Sequence, residues 1–312
     1  MNNVTISSIG IRSDQRTHGL DHEGILKERM TRLSDDIEQI LPDKPDLIVL
    51  PEFCDSPYMY GLSVSEEMEY YRQRGNQALD LLSGIAKRNG CYIAYPAFYE
   101  ASGIKMNSTR IIDRAGNVIG QYSKNHLTFG EIEEYGLFCG KEAPLIECDF
   151  GKVACAICFD LNFDELMRRY AGLGPDLILF SSMFHGGLMQ NFWAYSCRSY
   201  FVGAVWDDVS AIISPLGEAI ASSTNYHNYA TARINLDCAM AHLDFNLDRL
   251  KALKVKYGVG VTIREPGHIG SVLVTNETEG RTVYDLFREF EIEGLDEYFA
   301  RARILQNEQK RA

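Results

Sequence analysis

No stretch of this sequence approaches the ~18 uninterrupted apolar residues that a membrane-spanning helix requires. The start, Met1-Asn2-Asn3-Val4-Thr5-Ile6, lacks the basic opening and long apolar stretch of a secretion signal, so a cytoplasmic protein is expected. Positive charge is scarce. Lys and Arg total 31 against 43 Asp and Glu, a formal net charge of -12. That deficit disfavours nucleic acid and anionic membrane surfaces as partners. The eight cysteines, at 54, 91, 139, 148, 155, 158, 197 and 238, form no disulfide framework, and reduced thiols are expected. Cys155-x-x-Cys158 has no second ligand pair at zinc spacing. Alternation along a strand would turn these two thiols to opposite faces, which disfavours a dithiol redox pair. No metal and no cofactor are expected. Low-complexity segments and obvious linkers are missing as well.

What is present is an alternation of strands and helices. Of the 312 residues, 46% are hydrophobic, enough for a sizeable core, and 24% are charged, as is ordinary for a globular chain. Val4–Ile11 reads as a first strand. In 22–41, Ile25, Leu26, Met30, Leu33, Ile37, Ile40 and Leu41 fall at helical spacings. Leu47–Leu50 is a short buried strand, 66–89 a helix stopped by Gly90, and 91–99 a strand. Turn chemistry at Arg114-Ala115-Gly116-Asn117 joins strands 107–113 and 118–122 into a hairpin, and Asp149-Phe150-Gly151 joins 145–148 to 152–158. A helix at 164–171, a strand at 177–180, a helix at 190–200 and strands near 202–205, 210–213 and 229–235 follow. The last ~75 residues read as a Leu/Lys-rich helix, one strand at 271–275 and a charged helix from about Gly294. The two halves share a coarse strand, helix, strand, hairpin order. The expected organisation is a layered α/β domain over 1–245 and a C-terminal extension over 246–312, packed on that domain or on a partner subunit.

Three reactive side chains fall at ends of apolar strands, where α/β folds place their ligand sites. Glu52 follows Leu47–Leu50. A carboxylate desolvated by apolar neighbours is suited to general-base work. Lys124 ends a hairpin strand in Tyr122-Ser123-Lys124-Asn125-His126-Leu127, where a fixed cation can stabilise an oxyanion. His126, beside it, is read as a structural hydrogen-bonding residue. Cys158 follows a strand and precedes a helix, so it sits on a turn with the logic of a nucleophile elbow. Backbone N–H groups there are expected to lower the pKa of its thiol.

Taken together, Leu50-Pro51-Glu52, Tyr122 to Leu127 and Cys158-Phe159-Asp160 resemble, in that order, the nitrilase superfamily of carbon–nitrogen hydrolases. Phe163-Asp164-Glu165-Leu166 and 194–202 add weaker matches, and the resemblance fades after about Asn235. It implies a four-layer α-β-β-α sandwich that pairs into a homodimer or larger homo-oligomer. It implies Cys158 as nucleophile, Glu52 as general base, Lys124 as oxyanion stabiliser and the Phe159 backbone N–H as second oxyanion donor. It also implies a second glutamate in the loop from Gly130 to Gly140. Glu133 fits best by counting back from Gly140, with Glu131 and Glu134 as alternatives. Phe-Asp after the nucleophile, where true nitrilases carry Trp-Glu, favours the amidase-like branch and a small-molecule amide or carbamoyl substrate. A true nitrilase, an acyl-transferring member and a non-catalytic member of the fold are the alternatives. Tyr58 and His185, in loops that follow strand ends, are the candidate substrate contacts.

Overall fold

A computed structural model of the chain describes residues 2–11, 19–57 and 60–310. The described residues divide into two compact units. The larger spans Thr5–Arg233, and the smaller joins the residues through Val4 to those from Ile234 on.

The larger unit holds two six-stranded sheets. The first runs in the order β12-β1-β2-β3-β4-β5, with β1 at Asn3–Ile9, β2 at Leu47–Val49, β3 at Tyr92–Ala101, β4 at Ile104–Ile112, β5 at Val118–Ser123 and β12 at Tyr229–Asn235. The second runs β11-β10-β9-β8-β7-β6, with β6 at Ile146–Cys148, β7 at Gly151–Ile157, β8 at Leu177–Ser182, β9 at Tyr200–Val205, β10 at Ala211–Ile213 and β11 at Ala219–Ser222. Strands β1, β2 and β3 are parallel, as are β7, β8 and β9. Parallel strands buried on both faces carry continuous apolar runs, as Leu47-Ile48-Val49 and Leu177-Ile178-Leu179-Phe180 do.

Helices α1 (His22–Glu38) and α3 (Gln77–Asn89) cover the first sheet. Leu33 and Ile37 of α1 and Leu82, Ile85 and Ala86 of α3 share a buried cluster with Ile48, Ile93 and Ile112. Helices α5 (Asp164–Leu173) and α6 (Leu188–Cys197) cover the second, where Tyr170 Oη donates to the Cys155 carbonyl and Gln190 crowds Gly203. The sheets face each other across buried hydroxyls. Ser8 Oγ donates to the Gly203 carbonyl at 2.7 Å, and Ser181 Oγ to that of Leu50 at 2.8 Å. The result is the expected α-β-β-α sandwich. Because the two parallel cores face one another, the ends of β2, β7 and β8 converge.

Two local readings change. The helix expected over 66–89 is two helices, α2 (Val64–Arg74) and α3, because Gly75 at φ 50 interrupts the backbone. Residues 129–133 form a short helix, α4 (Phe129–Glu133), that carries too few residues to show a period.

The smaller unit has its own antiparallel sheet, ordered β13-β15-β14 from Cys238–His242, Ser271–Asn276 and Val261–Arg264. Ala241, Leu250, Leu253, Val272, Val274, Leu286 and Phe287 form its core, with helices α7 (Leu247–Tyr257), α8 (Val283–Glu289) and α9 (Leu295–Gln309). Strand β13 pairs with β15 throughout, so the division between units falls ahead of the expected boundary at residue 246. Among the described residues, no helix is long and apolar enough to cross a membrane.

The buried acids of the larger unit predict an alkaline limit to stability. Burial pushes the Cys91 thiol up to about 11 and the Cys197 thiol up to about 12, and the Tyr71, Tyr95 and Tyr122 phenols rise well above their ordinary range. These groups keep their protons in the fold and lose them in the unfolded chain at ordinary thiol and phenol values. The unfolded state therefore binds fewer protons above pH ~9, and stability falls as pH rises through the window from about 9 to 12. Urea unfolding at pH 7.5, 9 and 10.5 should show this loss, at up to ~1.4 kcal/mol per pH unit for each buried group. A curve that stays flat to pH 10.5 would contradict the assignment.

Candidate active site

Glu52 sits just past β2. The following residue, Phe53, adopts a left-handed conformation, φ 55, which turns the chain sharply. Several buried groups hold that turn. Trp206 Nε1 donates to the Glu52 carbonyl, Arg29 to the Cys54 carbonyl at 2.6 Å, Tyr70 Oη to the Asp55 carbonyl at 2.8 Å, and Arg74 to Asp55 Oδ2 at 2.8 Å. Glu52 is 1% exposed, and its side chain points into a ring of donors. Its Oε1 accepts from Lys124 Nζ at 3.0 Å and Asn107 Nδ2 at 2.8 Å; its Oε2 accepts from the Met183 N–H at 3.2 Å.

Lys124 follows β5 and is 1% exposed. Its backbone is gripped on both sides, donating to the Asn107 carbonyl at 2.9 Å and accepting from the Gly140 N–H at 2.8 Å. A Cβ added at Gly140 would stand 2.1 Å from the Ser123 carbonyl oxygen, so the loop can return this close only with glycine there. The ammonium bridges Glu52 and both oxygens of Glu131, each at 2.9 Å. Burial alone would push the ammonium down. The charges of Glu52 and Glu131 outweigh it, and Lys124 is held protonated well above the ordinary lysine range.

Glu131, and not Glu133, takes the position expected of the second glutamate. The reason is the start of α4. Thr128 caps that helix, and Glu131 is its N3 residue in a capping box, with Oε2 accepting from the Thr128 N–H at 2.8 Å. The box folds the carboxylate back toward Lys124. Glu133, two residues on, lies roughly 200° around the helix and is exposed, as is Glu134. The pattern Thr128-x-x-Glu131 was the sequence signal for this choice.

Cys158 follows β7 and opens a 3-10 turn, Cys158–Asn162. Its backbone is left-handed, φ 49, a strained state for a residue with a side chain. Asp160 pins the turn. Fully buried, it accepts from the Ile157 N–H at 3.0 Å, Tyr122 Oη at 2.7 Å, the His126 N–H at 2.8 Å and His126 Nδ1 at 2.9 Å. One carboxylate thus ties the Cys158 turn to the segment that carries Lys124. His126 has the structural role read for it, stacked on Phe163 with ring centroids 4.0 Å apart.

The thiol differs from expectation. Burial, followed by the Glu52 charge, pushes Cys158 up to about 12, although Lys124 and the Met183 N–H pull the other way. The cluster of Glu52, Glu131 and Lys124 already carries a net negative charge, so a resting thiolate beside it is disfavoured. At neutral pH the site holds a thiol next to a carboxylate.

Phe159 follows Cys158 in the turn, and its ring meets Phe163 edge-on at 5.2 Å. His185 lies in the loop after β8, where its Nδ1 accepts from the Gly187 N–H at 3.1 Å. That ring is tied to its own turn, and the loop reaches the cluster through Met183. Tyr58 lies outside the described residues. Sequence reasoning missed Asn107 and Met183. Asn107 sits inside β4 with no strand-end signal, and Met183 contributes only a backbone group.

A family model described as carbon–nitrogen hydrolase matches residues 25–239. The chain belongs to the carbon–nitrogen hydrolase family. The match covers all the site residues above and ends within β13. An omega-amidase from Danio rerio is 28% identical to this hydrolase over 216 residues, 61% of this chain and 76% of that one. Among solved structures, Nit3 of Saccharomyces cerevisiae, a member of branch 10 of the nitrilase superfamily, shares the fold at TM-score 0.59 and 20% identity, covering 74% of this chain and 90% of that one. An amidase from Nesterenkonia sp. does so at TM-score 0.60 and 17% identity, with the same coverage of 74% and 90%. These two structures show that the hydrolase has the nitrilase-type fold.

Proposed function

We propose that this hydrolase cleaves a non-peptide carbon–nitrogen bond of a small amide or carbamoyl compound through a thioester on Cys158. The observation that carries the reading is the buried Glu52 carboxylate and Lys124 ammonium, 3.0 Å apart, with the Cys158 thiol beside both. A buried base, cation and thiol at converging strand ends are what acyl transfer needs.

Glu52 takes the thiol proton as Cys158 Sγ bonds to the substrate carbonyl carbon. The carbonyl electron pair moves onto oxygen, where Lys124 Nζ and the Phe159 N–H hold it. Collapse breaks the carbon–nitrogen bond, and the leaving nitrogen takes the proton from Glu52. Water then gives a proton to Glu52 as its oxygen attacks the thioester. The carbon–sulfur bond breaks, the sulfur recovers the proton and the acid departs. Glu131 keeps Lys124 aimed. In its resting contacts Lys124 spends its donors on two carboxylates, so the oxyanion replaces one of the two Glu131 contacts.

Two observations favour an amide or carbamoyl group over a nitrile. Phe159-Asp160 follows the nucleophile where true nitrilases carry Trp-Glu. The relatives named above include an omega-amidase and an amidase. The working assembly in this reading is a homodimer or larger homo-oligomer. Leu173, Leu188 and Phe192, exposed on α5 and α6, supply an apolar face for it.

The test is a panel of small amides and carbamoyl compounds with an ammonia readout, run beside Cys158→Ala. Ammonia released by the unaltered protein alone, with an acyl adduct on the Cys158 peptide after acid quench, supports the reading. Equal release by both proteins, or none by either across the panel, sinks it.

A further inference from the structure

Asn107 gives both protons of its side-chain amide to the two buried glutamates. Its Nδ2 lies 2.8 Å from Glu52 Oε1 and 3.0 Å from Glu131 Oε1. Lys124 Nζ touches the same two oxygens, at 3.0 and 2.9 Å. Two donors and two carboxylate oxygens therefore alternate around a closed ring. One donor is a cation and the other is neutral.

The arrangement is set by the NH2 side of Asn107 alone. Its Oδ1 is buried and has no hydrogen-bond partner. An unmade buried hydrogen bond is a cost that a leucine of similar size would not carry. Turned the other way, the amide would aim its oxygen at two carboxylates. The two donated bonds must therefore outweigh the orphaned acceptor. Glu131 is already turned by its capping box, and Glu52 is held at Oε2 by the Met183 N–H. Asn107 adds the second donor on Glu52 Oε1 and joins that oxygen directly to Glu131.

We propose that Asn107 is a positioning residue for the hydrolytic base. It locks Oε1 of Glu52 so that Oε2, beside the Met183 N–H, is the oxygen that takes the Cys158 proton. It also lets one lysine hold two carboxylates without adding charge to the cluster. This rests on the proposed role of Glu52.

Asn107→Leu removes both donors at nearly constant volume. Asn107→Asp keeps the shape and sets a third carboxylate against the other two. Two quantities are read against pH. The first is kcat/KM for the best amide of the panel. The second is the rate of Cys158 alkylation by iodoacetamide, followed by peptide mass with exposed Cys139 as internal reference. For Asn107→Leu, kcat should fall about 10- to 100-fold with KM changed less than about threefold, as expected when a general base loses its aim. The acidic limb of both profiles should move up by about one pH unit, because two carboxylates that have lost a shared donor take up a proton more readily. Asn107→Asp should lose more and shift further. A purely structural residue would lower the melting temperature and leave the pH profiles in place.

Profiles of Asn107→Leu that overlay those of the unaltered protein overturn the proposal, as does a loss confined to KM or to melting temperature. If that variant does not fold, Asn107→Ser carries the same comparison with one small donor retained and a smaller shift in the same direction. A different result removes the parent reading instead. If the unaltered protein turns over no amide, and its Cys158 is alkylated no faster than in Glu52→Gln, Glu52 is not a base and Asn107 has nothing to position.

Discussion

Cys158→Ala should abolish ammonia release, with a fall on the order of 10⁴-fold or more, because in the proposed cycle this residue is the nucleophile that carries the thioester. The substitution should leave the fold intact. With its thiol pushed up to about 12, Cys158 carries no charge at neutral pH, so its removal breaks no buried ion pair, and Glu52 keeps its Lys124, Asn107 and Met183 donors. The backbone provides an internal control. Cys158 holds φ at 49, which alanine finds as strained as cysteine does and glycine does not. Cys158→Gly should therefore be equally inactive and more stable than Cys158→Ala by ~1 kcal/mol. A residue kept in a strained conformation that glycine would relieve is one whose side chain is needed there.

The same thiol fixes how activity should vary with pH. If the reacting species were a pre-formed thiolate, a thiol at about 12 would give a tenfold rise in rate per pH unit through the neutral range. Proton transfer to Glu52 during attack predicts a rate nearly level between pH 7 and 9. A log-linear climb across that interval would remove Glu52 as the base even with Cys158 retained as nucleophile.

How much of this was legible in the sequence follows from where each signal lives. Glu52, Lys124 and Cys158 are reactive side chains just beyond apolar strands, and the strands were legible because buried parallel strands read as apolar runs. The runs and hairpin turns show which strands exist, while the α-β-β-α layering rests on the family resemblance. Other parts depend on contacts between distant segments. Asn107 is one polar residue in a strand whose period gives it no special place. Asp160 was visible as a motif letter, but its work of tying the Cys158 turn to Tyr122 and His126 needs both sheets in place. Glu131 lay within reach of sequence reasoning through its capping box, yet counting back from Gly140 favoured Glu133. The smaller unit reads in sequence as two helices and a single strand because Val261–Arg264 is too short to show alternation, and Cys238–His242 gains its pairing only from β15.

Lys124→Met carries the second large expected effect, and it separates stability from catalysis. The substitution leaves Glu52 and Glu131 facing each other, with side chains 2% and 10% exposed and no cation between them. Breaking a buried ion cluster by deleting one member typically costs ~3–5 kcal/mol, since the remaining charges stay desolvated. The fold can relieve this by binding a proton between the carboxylates. The sign follows directly. A carboxylate held protonated in the fold and ionised in the unfolded chain favours the native state at low pH, and that advantage is lost as pH rises through the folded value. Lys124→Met should thus melt higher at pH 5.5 than at pH 8, a trend specific to the variant. Adding Glu131→Gln removes one of the two opposed charges and should recover much of the lost stability at pH 8. It should recover no activity, because in the proposed cycle the oxyanion still lacks its cation, a loss of about 10²- to 10³-fold at least for a single donor of this kind. A double variant that regains both stability and turnover would show that Lys124 only neutralises the two glutamates. Regained stability without turnover assigns the lysine to the transition state.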